Sequence, residues 1–325
     1  MAWNPTLVGG RWGRWLASGL FLLAAVPLVI NAVQSEQPMN GFDIAGSLVP
    51  ENEIHHGGPP RDGIPAISNP KFISASAADW LKPDDRVIGI EIEGQRRAYP
   101  IRILDHHEIV NDRIAEHAFA ITYCPLCGTG VAFDAMVAGE VREFGVSGLL
   151  YNSDVLLYDR QSESLWSQIL SKAVSGPLKG MRLDRIPIQH TTWEAWRADG
   201  DSLVLSRDTG HRRDYSRSPY RGYDEASELN FPVNARSARY HPKERVLDIE
   251  LDGRFKAYPF AELAKVDSPL QDSCAGQRVV VVFDAQTRSG EVRDQSGRLL
   301  PSINSFWFAW YAFHPDTGVF EPRSD

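Results

Sequence analysis

The sequence contains little cysteine, with three residues in 325, at positions 124, 127 and 274. A scaffold held together by many disulfides is therefore excluded, because such scaffolds are dense in cysteine. A four-cysteine zinc site is excluded as well, since the sequence has a single Cys-x-x-Cys pair. Beyond the N-terminal segment the sequence also lacks low-complexity runs, which is typical of a globular chain.

Positive charge is in short supply. The chain has 34 Lys and Arg against 42 Asp and Glu, a formal net charge of -8. Proteins that bind nucleic acid neutralise backbone phosphates with clustered Lys and Arg. The acidic balance therefore predicts no nucleic-acid partner.

The first 34 residues lack ionisable groups apart from Arg11 and Arg14. These two arginines precede an apolar run at 15–30, a pattern typical of a signal anchor or a signal peptide. Because the positive charges lie on the N-terminal side, we expect residues from about 35 onward to cross the membrane. The sequence thus predicts an exported protein on the periplasmic or extracytoplasmic face, anchored in the membrane by this segment or released after cleavage.

Two stretches of the chain resemble each other. Residues 85–104 and 244–263 both alternate apolar and polar residues, reach an acidic residue followed by Gly, and continue to Ala-Tyr-Pro. This pattern indicates a strand, a tight turn and a second strand. A further apolar strand follows each copy, at 118–124 and 278–284. The sequence predicts an α+β, mainly β fold, with two related strand-rich units derived from an internal duplication and short helices between them.

The composition places the boundaries between these parts. Gly and Pro are frequent around residues 55–65, which indicates a loop. A helix is predicted at about 190–199, where Thr191 and Glu194 have the spacing of a capping box. The predicted organisation is a signal segment (1–34), a Gly/Pro-rich lead-in (35–75), a first unit with the cysteine motif (76–185), a connecting segment (186–240) and a second, degenerate unit (241–325).

The first unit carries the motif Cys-Pro-Leu-Cys-Gly at 124–128. A tight turn of this kind directs both sulfurs toward one point, and a trailing Gly relieves backbone strain there. His106 and His107 lie upstream in the same unit, and the second unit lacks the thiols and the histidines together. Thiolate and imidazole ligands suit zinc or copper. We therefore predict a zinc or copper site formed by Cys124, Cys127, His107 and His106.

Three other interpretations of the thiols stay open. The pair is also typical of a thiol-disulfide redox protein, although a redox motif usually opens a helix and Gly-Thr-Gly-Val-Ala-Phe here indicates a strand. Cys124 is a candidate catalytic nucleophile with His107 as its base and Glu108 as a further catalytic candidate. A structural disulfide is the third alternative. The sequence names no substrate.

Several motifs together resemble a known family. They are DGIPAI, AYPIRIL, HEIVND, TYCPLCGTG, SGLLYNSD to LWSQ, DTGHRRDY and FAWYAFHPDTG. In these motifs the chain is similar to a bacterial and archaeal family of exported proteins, a domain of unknown function with a CPLCG motif, from about residue 60 to 320. The resemblance implies no particular activity. It points to His107, Glu108, Asn111, Asp112, Cys124 and Cys127, and then to the further cleft candidates Asp62, Tyr123, Ser167, Gln168, Arg213 and Asp214.

Overall fold

The computed structural model describes residues 38–322, and these are mostly β-structure. The helices are short: α1 (Ile101–Leu104), α2 (Trp193–Ala198), α3 (Phe260–Leu263) and α4 (Trp307–Phe313), with 3-10 turns at Glu51–Glu53 and Ala75–Ala77. The strands are β1 (Ile54–His56), β2 (Phe72–Ser74), β3 (Arg86–Ile92), β4 (Gln95–Pro100), β5 (Ile109–Ile114), β6 (His117–Cys124), β7 (Thr129–Asp134), β8 (Met136–Val137), β9 (Glu140–Val141), β10 (Phe144–Tyr151), β11 (Asp154–Asp159), β12 (Leu165–Ser167), β13 (Lys172–Ser175), β14 (Arg185–Ile186), β15 (Gln189–Thr192), β16 (Leu203–Leu205), β17 (Arg245–Leu251), β18 (Arg254–Pro259), β19 (Leu270–Cys274), β20 (Gln277–Asp284), β21 (Ser289–Asp294), β22 (Ser302–Phe306) and β23 (Gly318–Val319). The predicted α+β, mainly β fold class is confirmed.

The two similar stretches form antiparallel hairpins, β3–β4 and β17–β18. In the first turn, Glu93 and Gly94 have φ values of 50° and 72°. In the second, Asp252 and Gly253 have φ values of 47° and 71°. Two central residues with positive φ match the twist of the flanking strands, which is why an acidic residue followed by Gly works here. The prediction of strand, tight turn and strand is confirmed in both places.

Most of the strands belong to three sheets. The largest has eight strands in the order β23-β18-β17-β22-β7-β6-β5, with β14 added on β7. A second has the order β15-β3-β4-β16-β2, and a third has the order β1-β10-β11-β12-β13. Smaller sheets are formed by β19-β20-β21 and β8-β9. The lead-in at 35–75 thus supplies β1 and β2 to two of the sheets.

The same order of elements occurs twice along the chain. The order is a hairpin, a short helix, a three-stranded meander, a strand, a helix and a final strand. The first set consists of the hairpin β3–β4, α1, the meander β5–β6–β7, β15, α2 and β16. The same order appears again in β17 to β23 with α3 and α4. In both, the final strand pairs in parallel with the second hairpin strand. This order agrees with the predicted internal duplication, which stays a prediction.

The two sets of elements are interleaved. Strand β22 of the second set pairs with β17 and also with β7 of the first set, so one sheet contains strands from both. In the reverse direction, β15 contacts β21 through a hydrogen bond of 2.9 Å from Ser289 Oγ to Thr191 Oγ1 and one of 2.8 Å from Gln189 Nε2 to Glu291 Oε2. The segments 76–185 and 241–325, which we predicted as separate units, therefore share a sheet.

The segment between β7 and β15 supplies four of the five strands of the third sheet and packs that sheet on the first. The core between them includes Phe133, Phe144, Trp166 and Trp310 together with the two motif cysteines. Burying a large apolar side chain contributes about 1.5–3 kcal/mol. This packing fixes the β10–β11 hairpin against the turn between β6 and β7.

The prediction of a membrane partner requires correction. Within residues 38–322 no helix is long and apolar enough to cross a membrane. The longest described helix, α4, has seven residues, whereas a spanning helix needs about 20. The segment 1–34, for which the signal anchor was predicted, lies outside the described residues.

Candidate functional site

The cysteine motif forms the tight turn that joins β6 to β7, with Cys124 paired to Thr129 across the hairpin. Gly128 has a φ of 61°, and a Cβ atom there would lie 2.9 Å from the ring of Phe306. Glycine is therefore required for both the backbone conformation and the close approach. Arg245 Nη1 donates a hydrogen bond of 3.1 Å to Gly128 O, which holds the turn from its other side.

Both motif thiols are buried, and in the structure both are free cysteines. Cys127 Sγ donates a hydrogen bond of 3.2 Å to Ser153 O. Burial raises the pKa of Cys124 and raises the pKa of Cys127 well above its ordinary value, because a thiolate loses its hydration there. Without a cation beside them, both sulfurs are held as thiols.

Asp154 lies opposite the thiols, at the start of β11. The turn before it contains Asn152 and Ser153, both with positive φ. The Asn152 side chain fixes this turn with two hydrogen bonds: it donates to Ala312 O at 3.2 Å and accepts from Asn234 N at 2.8 Å. Asp154 Oδ2 accepts from the backbone N–H of Ile169 at 3.1 Å. Asp154 Oδ1 is buried and has no hydrogen-bond partner among the described residues. Such a group is costly to bury alone, so it indicates a missing partner.

These three side chains form one cluster. The sulfurs of Cys124 and Cys127 and a carboxylate oxygen of Asp154 all lie within 4.8 Å of one another. Burial raises the pKa of Asp154 to about 7. Glu108 adds a fourth acidic group, since burial and then the negative charge of Asp154 raise its pKa to about 8. Within residues 38–322 neither carboxylate forms an ion pair, so the negative charge of the ionised cluster would be uncompensated.

The structure does not bring the predicted histidine ligands into this cluster. His107 Nδ1 lies 2.7 Å from Pro65 O, which can only accept, so Nδ1 carries the proton. His107 Nε2 lies 2.7 Å from the hydroxyl of Tyr215 and accepts from it, because burial lowers the His107 pKa to about 4 and keeps the ring neutral. His106 Nε2 contacts Arg217 O at 2.9 Å. Asp154, rather than a histidine, completes the group, and the same contacts leave His107 without a free nitrogen to act as the base for Cys124.

Three of the further candidates have structural partners away from the thiols. Asp62 accepts from Tyr158 Oη at 2.6 Å and pairs with Arg160 at 3.0 Å. Asn111 joins β5 to β10 through two hydrogen bonds with the backbone of Phe144, at 2.9 and 2.8 Å. Asp112 accepts from Arg97 and from Tyr99 Oη, at 2.6 and 2.5 Å. These contacts give Asn111 and Asp112 a role in joining strands, and Asp62 a role in holding its loop against β11.

The remaining candidates lie at differing positions. Gln168 Nε2 donates to Thr122 Oγ1 at 2.8 Å beside the cysteine hairpin, while its buried Oε1 has no partner in the described chain. Ser167 Oγ accepts from Leu170 N at 3.4 Å. Arg213 and Asp214 are exposed. Tyr123 lines a cleft beside the motif.

This cleft has a volume of about 700 Å³ and includes Pro125 of the cysteine turn. Tyr220 and Tyr223 line it and interact electrostatically with the buried cluster. Burial raises the pKa of both tyrosines; Glu108 and Cys124 raise the pKa of Tyr220 further, and Cys127 raises the pKa of Tyr223 further. Both tyrosines belong to residues 206–244, which contain no strand or helix. The irregular segment therefore packs over the core that contains the thiols, and the cleft lies between this segment and the cysteine turn.

Comparison with known proteins identifies the family. Residues 61–317 match the family described as "Protein of unknown function (DUF3179)". The chain belongs to the DUF3179 family. No curated protein and no solved structure matches it. The matched range contains the cluster of Cys124, Cys127 and Asp154 together with Glu108, so the candidate site lies inside the DUF3179 domain.

Sequence reasoning missed Asp154 within this DUF3179 domain. The available signal was the tripeptide Asn-Ser-Asp at 152–154, which lies between two apolar stretches and is typical of a hairpin turn. An aspartate that opens a buried strand needs a partner. Which partner it meets depends on how the β10–β11 hairpin packs against the β6–β7 hairpin.

Proposed function

We propose that the protein binds a metal ion, zinc or copper, through Cys124, Cys127 and Asp154. The observation that carries the proposal is the convergence of three buried donor atoms within 4.8 Å. The unpartnered Oδ1 of Asp154 supports it further, because a bound cation would satisfy this atom.

The electrostatics of the cluster favour a cation. Two thiols and two carboxylates are buried close together, and burial raises the pKa of each. A metal ion reverses this effect, since it stabilises the ionised form of every ligand that it binds. The alternative is a cluster held fully protonated, in which the thiols of Cys124 and Cys127 hydrogen-bond to the Asp154 carboxyl group and no ion is needed.

The donor types favour zinc over copper. Zinc accepts thiolate sulfur and carboxylate oxygen together, usually in a tetrahedral arrangement, whereas thiolate and thioether ligands select Cu(I). Glu108 interacts electrostatically with Asp154 and Cys124 but lies outside the group of donors within 4.8 Å, so it would have to move closer to take the fourth position. If a water molecule fills the fourth position instead, the metal could assist catalysis. Whether the site can be catalytic therefore depends on which group is the fourth ligand.

The redox interpretation fits the structure less well. A thiol that exchanges disulfides with other proteins is partly exposed and has a lowered pKa. Cys124 and Cys127 are 2% and 0% exposed, and burial raises the pKa of both. Residues 206–244 would have to move before a partner disulfide reached them.

The first test is metal content of the full chain, purified without chelator or affinity metal and measured by elemental analysis. We expect about one zinc ion per chain in the wild type, and loss of most of it in the Cys124→Ser and Asp154→Asn variants, because each removes a ligand. Cys274→Ser is the matched control, since Cys274 lies in β19 outside the cluster. It should retain the full metal content.

A second variant separates the two ligand sets. His107→Ala should retain the metal, because both ring nitrogens already contact Pro65 and Tyr215. Loss of metal in His107→Ala with retention in Asp154→Asn would restore the histidine set predicted from the sequence. A metal-free wild type with a reversible Cys124–Cys127 disulfide would contradict metal binding and favour the redox function.

A further inference from the structure

A second feature of the site region is a pair of arginines that begin equivalent strands. Arg86 is the first residue of β3 and Arg245 is the first residue of β17, the strands that open the two hairpins. Both line the cleft beside the cysteine turn. The interleaving of the two sets of elements thus brings the starts of the two hairpins to one place.

Neither arginine has an acidic partner. Arg86 Nη1 donates to Thr287 O at 2.5 Å, and Arg245 Nη1 donates to Gly128 O at 3.1 Å. The Arg245 guanidinium also lies 4.8 Å from the centre of the Phe306 ring. Across residues 38–322, ion pairs involve many other arginines but not these two.

The two positive charges repel each other. Burial lowers the pKa of Arg86 to about 10, and the charge of Arg245 adds to this effect. Both charges also act on His190: burial and then the charges of Arg86 and Arg245 lower its pKa to about 3, so its ring is neutral. Bringing two like charges together without a counter-charge costs free energy, which an anion between them would recover.

We propose that Arg86 and Arg245 bind the oxyanion group, carboxylate or phosphate, of a small ligand that occupies the cleft. Arginine is suited to this role because its planar fork can donate two parallel hydrogen bonds to such a group. The cleft volume of about 700 Å³ lies within the range of small-molecule sites, about 300–1,000 Å³.

Other charges in the cleft indicate how the ligand is oriented. Asp105, Asp224 and Glu225 also line it, together with Arg217 and Arg221. We therefore expect the anionic group of the ligand at the arginine pair rather than beside the three carboxylates. Since Pro125 lines the same cleft, the ligand would lie beside the cysteine turn.

The test is equilibrium dialysis of the full chain with radiolabelled inorganic phosphate and, separately, with acetate, at constant ionic strength set by sodium chloride. We expect saturable binding of at least one of the two anions to the wild type, weakened at least tenfold in Arg86→Gln because one of the two forks is lost. Arg113→Gln is the matched control. Arg113 likewise donates to a backbone carbonyl, that of Glu116 at 3.0 Å, but lies outside this cleft.

Two results would overturn the proposal. One is binding that does not saturate and disappears as the ionic strength is raised, to the same extent in the wild type and in Arg86→Gln, which would indicate nonspecific charge attraction only. The other is equal binding by Arg86→Gln and Arg113→Gln. Circular dichroism checks folding, and if Arg86→Gln does not fold, Arg86→Lys replaces it, since Lys keeps the charge but loses the fork and should still weaken binding severalfold. Metal content is measured on the same wild-type sample, so a protein that holds the metal but no anion overturns the anion site alone, and one that holds the anion but no metal overturns the metal site alone.

Discussion

At the scale of single residues, Gly130 shows how closely β7 packs against β3 and β15. It lies in β7, two residues after the cysteine motif. A Cβ atom at this position would lie 2.3 Å from His190 Nε2 and 2.6 Å from Ile88 Cδ1. Its counterpart in the second set, Gly290, is less crowded, with Leu247 Cδ2 at 3.1 Å.

We therefore expect Gly130→Ala to lower the free energy of unfolding by about 1–3 kcal/mol, because the added methyl overpacks a dense core. Gly290→Ala is the control and should cost less, since a leucine methyl can shift by a few tenths of an ångström. Urea unfolding followed by circular dichroism measures both. Equal losses in the two variants would show that the contact with His190 does not decide the effect.

At the scale of elements, helix α2 is the clearest case of a correct prediction with a displaced boundary. The sequence predicted a helix at about 190–199, capped by Thr191 with Glu194. In the structure α2 begins at Trp193, and the capping side chain is Thr192, whose Oγ1 accepts from Ala195 N at 3.3 Å. Thr191 instead accepts from Ser289 Oγ at 2.9 Å, because the interleaved second set brings that residue alongside.

The cap leads to a measurable difference. Thr192→Ala should lower the free energy of unfolding by about 1 kcal/mol, because the N–H of Ala195 loses its acceptor. Glu194→Ala should change it by less than about 0.5 kcal/mol, since Glu194 is exposed and makes no capping hydrogen bond in the described structure. Thermal unfolding of the two variants beside the wild type decides this. A larger loss in Glu194→Ala than in Thr192→Ala would restore the capping box.

The helices also contain a signal that the hairpin comparison did not use. Both α2 and α4 have the pattern Trp-x-Ala-Trp-x-Ala, at 193–198 and 307–312. All four tryptophans are buried. Helix α2 follows β15, which pairs with the first strand of the first hairpin, and α4 follows β22, which pairs with the first strand of the second hairpin. The repeated tryptophan pattern therefore indicates that β15 and β22 are equivalent strands.

At the scale of the whole molecule, the described residues 38–322 belong to one compact unit, and strands of both sets meet in one sheet. Protonation of a buried group is then coupled to unfolding of the whole unit. His190 is such a group, because its folded-state pKa is lowered to about 3 by burial and by Arg86 and Arg245. In the unfolded chain its pKa is about 6.5.

The sign of the pH effect follows from these two values. Between about pH 6.5 and pH 3 the unfolded state binds the proton and the folded state does not, so acid destabilises the fold through this residue. From pH 7 to pH 5 the free energy of unfolding of the wild type should fall by about 2 kcal/mol relative to His190→Gln. Urea unfolding at both pH values measures it. Exposed His56→Gln is the control, and a difference that does not change with pH would contradict the prediction.

The sequence by itself determined the local features of this protein. The β-rich class, the two hairpins with their acidic-Gly turns and the turn that brings Cys124 and Cys127 together all depend on residues close in the chain. Backbone conformation and strand alternation act over a few residues, and for that reason these features are readable. The family was also recognisable from its motifs.

Only the tertiary structure decided which side chains complete the site. Asp154 reaches the thiols through a hairpin about 30 residues away, whereas His107 lies close in sequence but is engaged by Pro65 and Tyr215. Arg86 and Arg245 meet because the two sets of elements interleave. Contacts between distant segments depend on how sheets pack and in which order their strands pair, and local sequence patterns do not encode that order.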